Sequence, residues 1–250
     1  MTEPPVDARV HIQPEFAWDR QGAYLFDIDG TLLRSRDRIH YDSFFAATEA
    51  VLGHQLVLDG VVLHGNTDPG ILRDAFRIAQ LEESAWLGSL DAIGAHMSDT
   101  VAERRAEMDL RVMPGVEAML AYLQRSGAAL GVATGNLESI GWIKIEEAGL
   151  RDWFTFGGFS DGFAVRSDMI AHALRIARNE AGHDASVCVV GDTPADISAA
   201  RVHGLPTIAV ATGNYSFDAL MESEPEVCTT TLEALLAHTS HPDAAVARMA

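Results

Sequence analysis

The sequence predicts an α/β fold, a doubly wound parallel sheet carrying a helical insertion, and three observations lead there. Four short apolar runs read as buried parallel strands: AYLFDI at 23–28, ALGVAT at 129–134, VCVVG at 187–191 and TIAVA at 207–211. Helical patterns alternate with them: GVEAMLAYLQRSG at 115–127, LESIGWIKIEEAGL at 137–150 and RSDMIAHALRIARNEAG at 166–182. Such alternation implies a parallel sheet covered on both faces. The interval 36–112, between the first strand and the rest, has amphipathic spacing and few strand signals, so it is expected to be a helical insertion.

Taken in chain order, residues 1–21 hold Pro4, Pro5 and Pro14 among several charges and no apolar stretch, unlike a secretory signal. They are expected to be a loosely ordered lead-in, and the chain to be cytoplasmic. The α/β core is expected over 22–35 and 113–250, with the insertion over 36–112. Within it, Asp68 and Pro69 read as a helix start, the aspartate as cap and the proline in the first turn. Gly127, Gly149 and Gly182 stand where helix C-terminal caps belong.

Composition excludes several classes. Hydrophobic residues make up 48% and mean hydropathy is +0.06, yet no apolar run approaches the roughly 20 residues of a membrane span. No membrane partner is expected. Acidic residues outnumber basic ones 36 to 18, and no stretch concentrates arginine as a phosphate-tracking surface would, so nucleic acid is not expected either. Two cysteines, Cys188 and Cys228, are too few for a disulfide framework or a thiolate metal site. The ten histidines are scattered, and only His64, beside GNTD, is a candidate for substrate contact. The chain is expected to act as a monomer or homodimer.

The chemistry concentrates at strand ends, where open parallel sheets bind ligands. The first strand runs into FDIDGTLL, placing Asp27 and Asp29 two residues apart with Gly30 and Thr31 next. That spacing aims both carboxylates to one side, and two buried like charges repel unless a cation or proton lies between them. The strand at 187–191 ends in GDTPADI, with Asp192 at its tip and Asp196 one helical turn on. If the two strands are neighbours, Asp27, Asp29 and Asp192 form an oxygen-rich pocket suited to Mg2+. The strand at 129–134 ends in Thr134, Gly135 and Asn136, a hydroxyl and N–H groups opening a helix, which is an anion site.

FDIDGTLL, ATGN and GDTPADI resemble the first, second and fourth motifs of the haloacid dehalogenase superfamily. The insertion is similar to the cap of its phosphoglycolate phosphatase and beta-phosphoglucomutase branch, and the resemblance covers about residues 22–238. It implies a Rossmann-like sheet with an inserted α-helical cap domain, and a Mg2+-dependent phosphatase acting on a small phosphomonoester. Asp27 would attack phosphorus and form an aspartyl-phosphate, while Asp29 would serve as acid and then base. The resemblance further implies Mg2+ held by Asp27, Asp192 and the Asp29 backbone carbonyl. Gly30, Thr31, Thr134, Gly135 and Asn136 would bind phosphate, and Asp196 would orient the loop or a metal-bound water. GNTDPGIL resembles a cap segment of that branch, making Asn66 and Thr67 candidates for substrate contact.

The third motif departs from the family pattern. The family places a lysine before the helix that precedes the fourth motif, whereas this region reads GFSDGFAVRSDMIAHALRIA. Arg166 stands at that place; the alternative is Lys144, the only lysine in the chain. Arg166 is favoured, because a helix beginning near 137 or 138 would leave Lys144 roughly 9–10 Å along its axis from the end facing the site, on a flank near Glu147. A phosphomutase of the beta-phosphoglucomutase kind remains an alternative, since a second hydroxyl can replace water. So does a non-catalytic binding or regulatory protein on the same fold, against which the three mutually repelling carboxylates argue.

Overall fold

A computed structural model describes residues 8–239. In chain order its elements are β1 (Val10–Ile12), β2 (Ala23–Phe26), β3 (Leu33–Ser35), α1 (Ile39–Leu52), α2 (Asp68–Ile78), α3 (Glu83–Trp86), α4 (Leu90–Glu103) and β4 (Leu110–Val112). There follow α5 (Val116–Arg125), β5 (Ala129–Ala133), α6 (Glu138–Glu147), β6 (Phe156–Gly158), α7 (Arg166–Ala181), β7 (Val187–Gly191) and α8 (Pro194–Val202). The chain then runs through β8 (Thr207–Val210), α9 (Phe217–Met221), β9 (Val227–Thr229) and α10 (Leu232–Leu236). Among the described residues no helix is long and apolar enough to cross a membrane.

Seven of these strands form one sheet in the order β1-β9-β8-β7-β2-β5-β6, parallel except for β1 against β9. β2 is central and wholly buried, as its unbroken apolar run requires. Its residues alternate between two cores. Tyr24 and Phe26 pack with Leu120, Leu123, Ile145 and Leu235 beneath α5, α6 and α10, and Leu25 packs with Met169, Ile170 and Ala200 beneath α7 and α8. Because β2 pairs with β5 and β7 in parallel register, Phe26 opposite Val132 and Val190, the three strand ends that carry the motifs stop side by side.

The insertion leaves through β3 and returns through β4, which pair antiparallel. With the insertion taken as 36–112, β3 is the last element of the core before it and β4 the last element within it. The helices between them share a core of Phe44, Leu72, Phe76, Trp86, Ile93 and Met97, which continues into Ile140 and Ile143 of α6. Helix α6 is thus covered on both sides, by the cap through these residues and by the sheet through Ile145.

The lead-in differs from its expectation. Residues 1–7 lie outside the described residues, but Val10–Ile12 add an antiparallel edge strand to β9, and Trp18 is 2% exposed. The Trp18 indole N–H donates to the His238 carbonyl at 3.2 Å and its ring lies beside Tyr122. Two β-branched residues and one large aromatic outweigh the prolines. Replacing Trp18 with alanine should lower unfolding free energy by about 3–5 kcal/mol, the usual cost of emptying a buried tryptophan site. Urea unfolding checks this; a change within about 0.5 kcal/mol, as for an exposed residue, would mean that the segment is not part of the core.

Candidate active site

Asp27 continues the line of β2, its N–H donating to the Val190 carbonyl at 2.9 Å. Its carboxylate is buried and lies 3.2 Å from Nη2 of Arg166, which opens α7. Arg166 also pairs with Asp196, the third residue of α8. Asp196 in turn accepts from the Thr193 N–H at 3.0 Å and the Thr193 hydroxyl at 2.7 Å, while Thr193 caps α8. The threonine, aspartate and arginine form one buried unit that fixes the loop after β7.

Asp29 faces a second cation. Nζ of Lys144 donates to both its oxygens, at 2.9 and 2.7 Å, and to Oδ1 of Asn136 at 2.8 Å. The Asn136 amide closes the circuit on Asp29 at 2.8 Å and on the Thr134 hydroxyl at 2.7 Å. Lys144 is 2% exposed. This corrects the expectation of a flanking residue near Glu147. Helix α6 does begin at Glu138, but side chains tilt toward a helix's N-terminus, so the lysine stem runs back along the axis toward the site. With both sides of α6 covered, it has no solvent to turn to. Glu146 and Glu147 pair instead with Arg105 of the insertion.

The contact network continues into the cap. Nζ of Lys144 lies 3.0 Å from Nδ1 of His40, and Nε2 of His40 lies 3.1 Å from Asp68. An ammonium can only donate, so Nδ1 accepts and Nε2 carries the hydrogen directed at Asp68. Asp68 was expected to cap its helix. Thr67 does so, accepting from Gly70 N–H at 3.0 Å, which frees the Asp68 carboxylate to accept from Leu137 N–H at 2.9 Å. Glu138 N–H is taken by Asp161 at 2.7 Å. The helix start expected to bind an anion is therefore occupied by two of the protein's own carboxylates.

One cavity of about 460 Å3 gathers Asp27, Asp29, Gly30, Thr134, Gly135, Asn136, Asp192, Lys144, Arg166 and, from the cap, Asn66. Thr31 is fully buried behind it, its hydroxyl donating to Asp192 at 3.3 Å. Thr67 is fully buried and does not line the cavity; its hydroxyl is engaged in capping. His64 lines it and contacts Asn214. His40 escaped the sequence reading, since a single histidine in the first turn of a helix carries no pattern; a Thr-Asp-Pro start, by contrast, does signal threonine as the cap.

The charges explain what the site can hold. Burial, then the charges of Asp196 and Asp29, push the Asp27 carboxyl up to about 7 against the pull of Arg166. Burial, with Asp27 and Asp196, pushes Asp192 up to about 8. At Asp29 desolvation acts upward, but the Lys144 ammonium and the hydrogen bonds from Lys144 and Asn136 outweigh it and hold the carboxyl below the usual range. Oxygens of Asp27, Asp192 and Asp196 lie within 4.8 Å of one another. Both oxygens of Asp196 are engaged by Arg166 and Thr193, leaving Asp27 and Asp192 as carboxylates short of positive charge. An all-oxygen set of that kind fits a hard divalent cation. The backbone also crowds in: a Cβ on Gly30 or Gly213 would collide with the Asp192 carboxylate.

The chain is similar to known proteins in sequence and in fold. The family model described as haloacid dehalogenase-like hydrolase matches residues 22–204. A phosphoglycolate phosphatase of Agrobacterium fabrum is 29% identical over 205 residues, covering 81% of this chain and 85% of that protein. The tyrosine-protein kinase PtkA of Mycobacterium tuberculosis is 29% identical over 208 residues, 82% of this chain and 67% of that one. Among solved structures, CbbY from Rhodobacter sphaeroides in complex with phosphate superposes with a TM-score of 0.57 at 20% identity, covering 78% of this chain and 87% of that chain, a likeness of fold.

A pH-dependent metal effect follows from the raised carboxyls. With Asp27 and Asp192 titrating near 7 and 8 in the folded chain and near about 3.9 when unfolded, the folded state binds more protons in between, so stability falls as pH rises through that interval. Asp29 shifts the other way and titrates below this window. A divalent cation bound between Asp27 and Asp192 would replace the missing protons. The rise in melting temperature on adding MgCl2 to chelator-treated protein should be larger at about pH 8 than at about pH 5.5; equal shifts, or none, would contradict the assignment.

Proposed function

This chain belongs to the haloacid dehalogenase-like hydrolase family and is an enzyme of its phosphatase kind, and we propose that it hydrolyses a small phosphomonoester through an aspartyl-phosphate on Asp27. The observation that carries the proposal is the pairing at the end of β2: Asp27 held by Arg166 and Asp29 held by Lys144, all four lining one cavity.

Asp27 is the nucleophile. Its carboxylate is fixed by Arg166, so an attacking oxygen is presented without the freedom of a solvent-exposed side chain. The phosphorus–oxygen bond to the leaving alcohol breaks as the bond to Asp27 forms, and Asp29 gives the alcohol its proton. In the second step Asp29, again a carboxylate, takes a proton from the water that attacks phosphorus and releases phosphate. Lys144 favours the ionised form of Asp29, the one the second step uses. The first step needs the proton, so substrate entry exchanges part of the Lys144 contact for one with the leaving oxygen.

Mg2+ held by Asp27, Asp192 and the Asp29 carbonyl would neutralise charge on the transferring group. Arg166 would serve as the third-motif cation, a reading supported by its planar guanidinium bridging Asp27 and Asp196. Lys144 is a second cation with a separate partner. Thr134, Gly135 and Asn136, which line the cavity, would border the phosphoryl position.

Phosphate release from p-nitrophenyl phosphate and a phosphorylated-metabolite panel, with Mg2+, tests the reading. Asp27→Asn should lower kcat by at least about a thousandfold, as losing a nucleophile does, while the variant melts within a few degrees of the parent. Retained turnover in that variant would rule out Asp27 as nucleophile.

A further inference from the structure

The cavity reaches well past the phosphoryl position. At about 460 Å3 it lies within the size range of sites that enclose a ligand of drug-like size. Its two ends differ in chemistry. The catalytic end is polar and charged, as described above. The cap end is lined by Tyr41, Phe44, Leu58, Leu63 and Ile71, all of which also belong to or pack against the apolar core of the cap.

The described residues of the cap contribute no arginine or lysine to the cavity wall. Among the described residues the cavity's arginines and lysine are Arg34, Lys144 and Arg166. None belongs to segment 36–112, although that segment holds seven arginines. Lys144 and Arg166 are each engaged by carboxylates at the catalytic end. Arg34, on β3, donates to the carbonyls of Thr212 and Gly213. Negative charge, by contrast, is present: Asp37 and Asp68 both border the cavity. Asp37 is fixed by N–H groups of Ile39 at 2.9 Å and Asp109 at 2.8 Å and by the Ser35 hydroxyl at 3.0 Å. A leaving group bearing a carboxylate or second phosphate would meet Asp37 and Asp68 and no arginine or lysine from the cap; the cap's own His64 and His40 border the cavity too, His40 with its Nε2 hydrogen directed at Asp68.

Building on the phosphatase reading, we infer that the substrate is the phosphomonoester of an uncharged, largely apolar alcohol, whose body rests on Tyr41, Phe44, Leu58, Leu63 and Ile71. It is not a phosphorylated acid such as phosphoglycolate. Apolar contact with these side chains supplies the binding, and Asp37 and Asp68 discriminate against anionic leaving groups.

The test compares kcat/KM of the full chain with Mg2+ for benzyl phosphate and hexyl phosphate against phosphoglycolate and glucose 6-phosphate. The apolar esters should be preferred by about tenfold or more, the effect of burying one such group. Tyr41→Ala and Leu63→Ala, at half-buried positions that tolerate truncation, should raise KM for benzyl phosphate about fivefold more than KM for phosphoglycolate. Preference for phosphoglycolate or glucose 6-phosphate, or equal use of all four, overturns the inference and leaves the phosphatase reading standing. Turnover of none of the four removes both.

Discussion

Four carboxylates, Asp27, Asp29, Asp192 and Asp196, meet where two adjacent parallel strands end, and the site is built around balancing them. At separations of a few ångströms in a low-dielectric setting such charges repel by several kcal/mol, so each needs a partner or a proton. Arg166 spans Asp27 and Asp196, and Lys144 takes Asp29. Among the described residues Asp192 has the Thr31 hydroxyl and Arg166's more distant charge, and its carboxyl is raised further than that of Asp27. The imbalance that remains, centred on Asp27 and Asp192, is the physical reason for placing a divalent cation there.

The same balance ties the cap to the core. Asp68 of α2 donates its N–H to the Gly135 carbonyl at 2.7 Å and accepts from Leu137 N–H, so the cap touches the loop after β5 that lines the cavity. Gly135 permits this approach: a Cβ there would collide with the Asn66 carbonyl. Through His40 the cap also reaches Lys144, and through Lys144 it reaches Asp29. Movement of the cap therefore alters the surroundings of the proposed acid and base. The surface pairs of Arg105 with Glu146 and Glu147 add little to this coupling, because exposed ion pairs contribute little.

Much of this was legible in the sequence, for a definite reason. The motif strands are central and buried on both faces, so their apolar runs stand out, and the polar residues that follow stand out against them. The short outer strands were not legible: β1 and β6 at the edges and β9 beside β1 are three residues each, and β6 reads Phe-Gly-Gly, which carries no strand pattern. Lys144 was misplaced because position along a helix axis was used without the backward tilt of its side chains. The burial of α6 on both sides, which leaves the lysine no exposed flank, is a tertiary fact. Likewise, the Asp68 carboxylate could be followed to Leu137 and His40 only once the insertion was seen folded against the core.

The central claim is a division of labour between two cations, Arg166 on the nucleophile and Lys144 on the acid and base. The pH dependence of kcat/KM in Lys144→Met, beside Arg166→Met and the parent, tests it most directly. Removing Lys144 frees the Asp29 carboxyl to rise, so the acid limb of the Lys144→Met profile should move to higher pH, with kcat down by about a hundredfold or more, the scale of acid–base assistance. A Lys144→Met enzyme whose acid limb stays where the parent's lies, or whose shift is reproduced by Arg166→Met, would contradict the division.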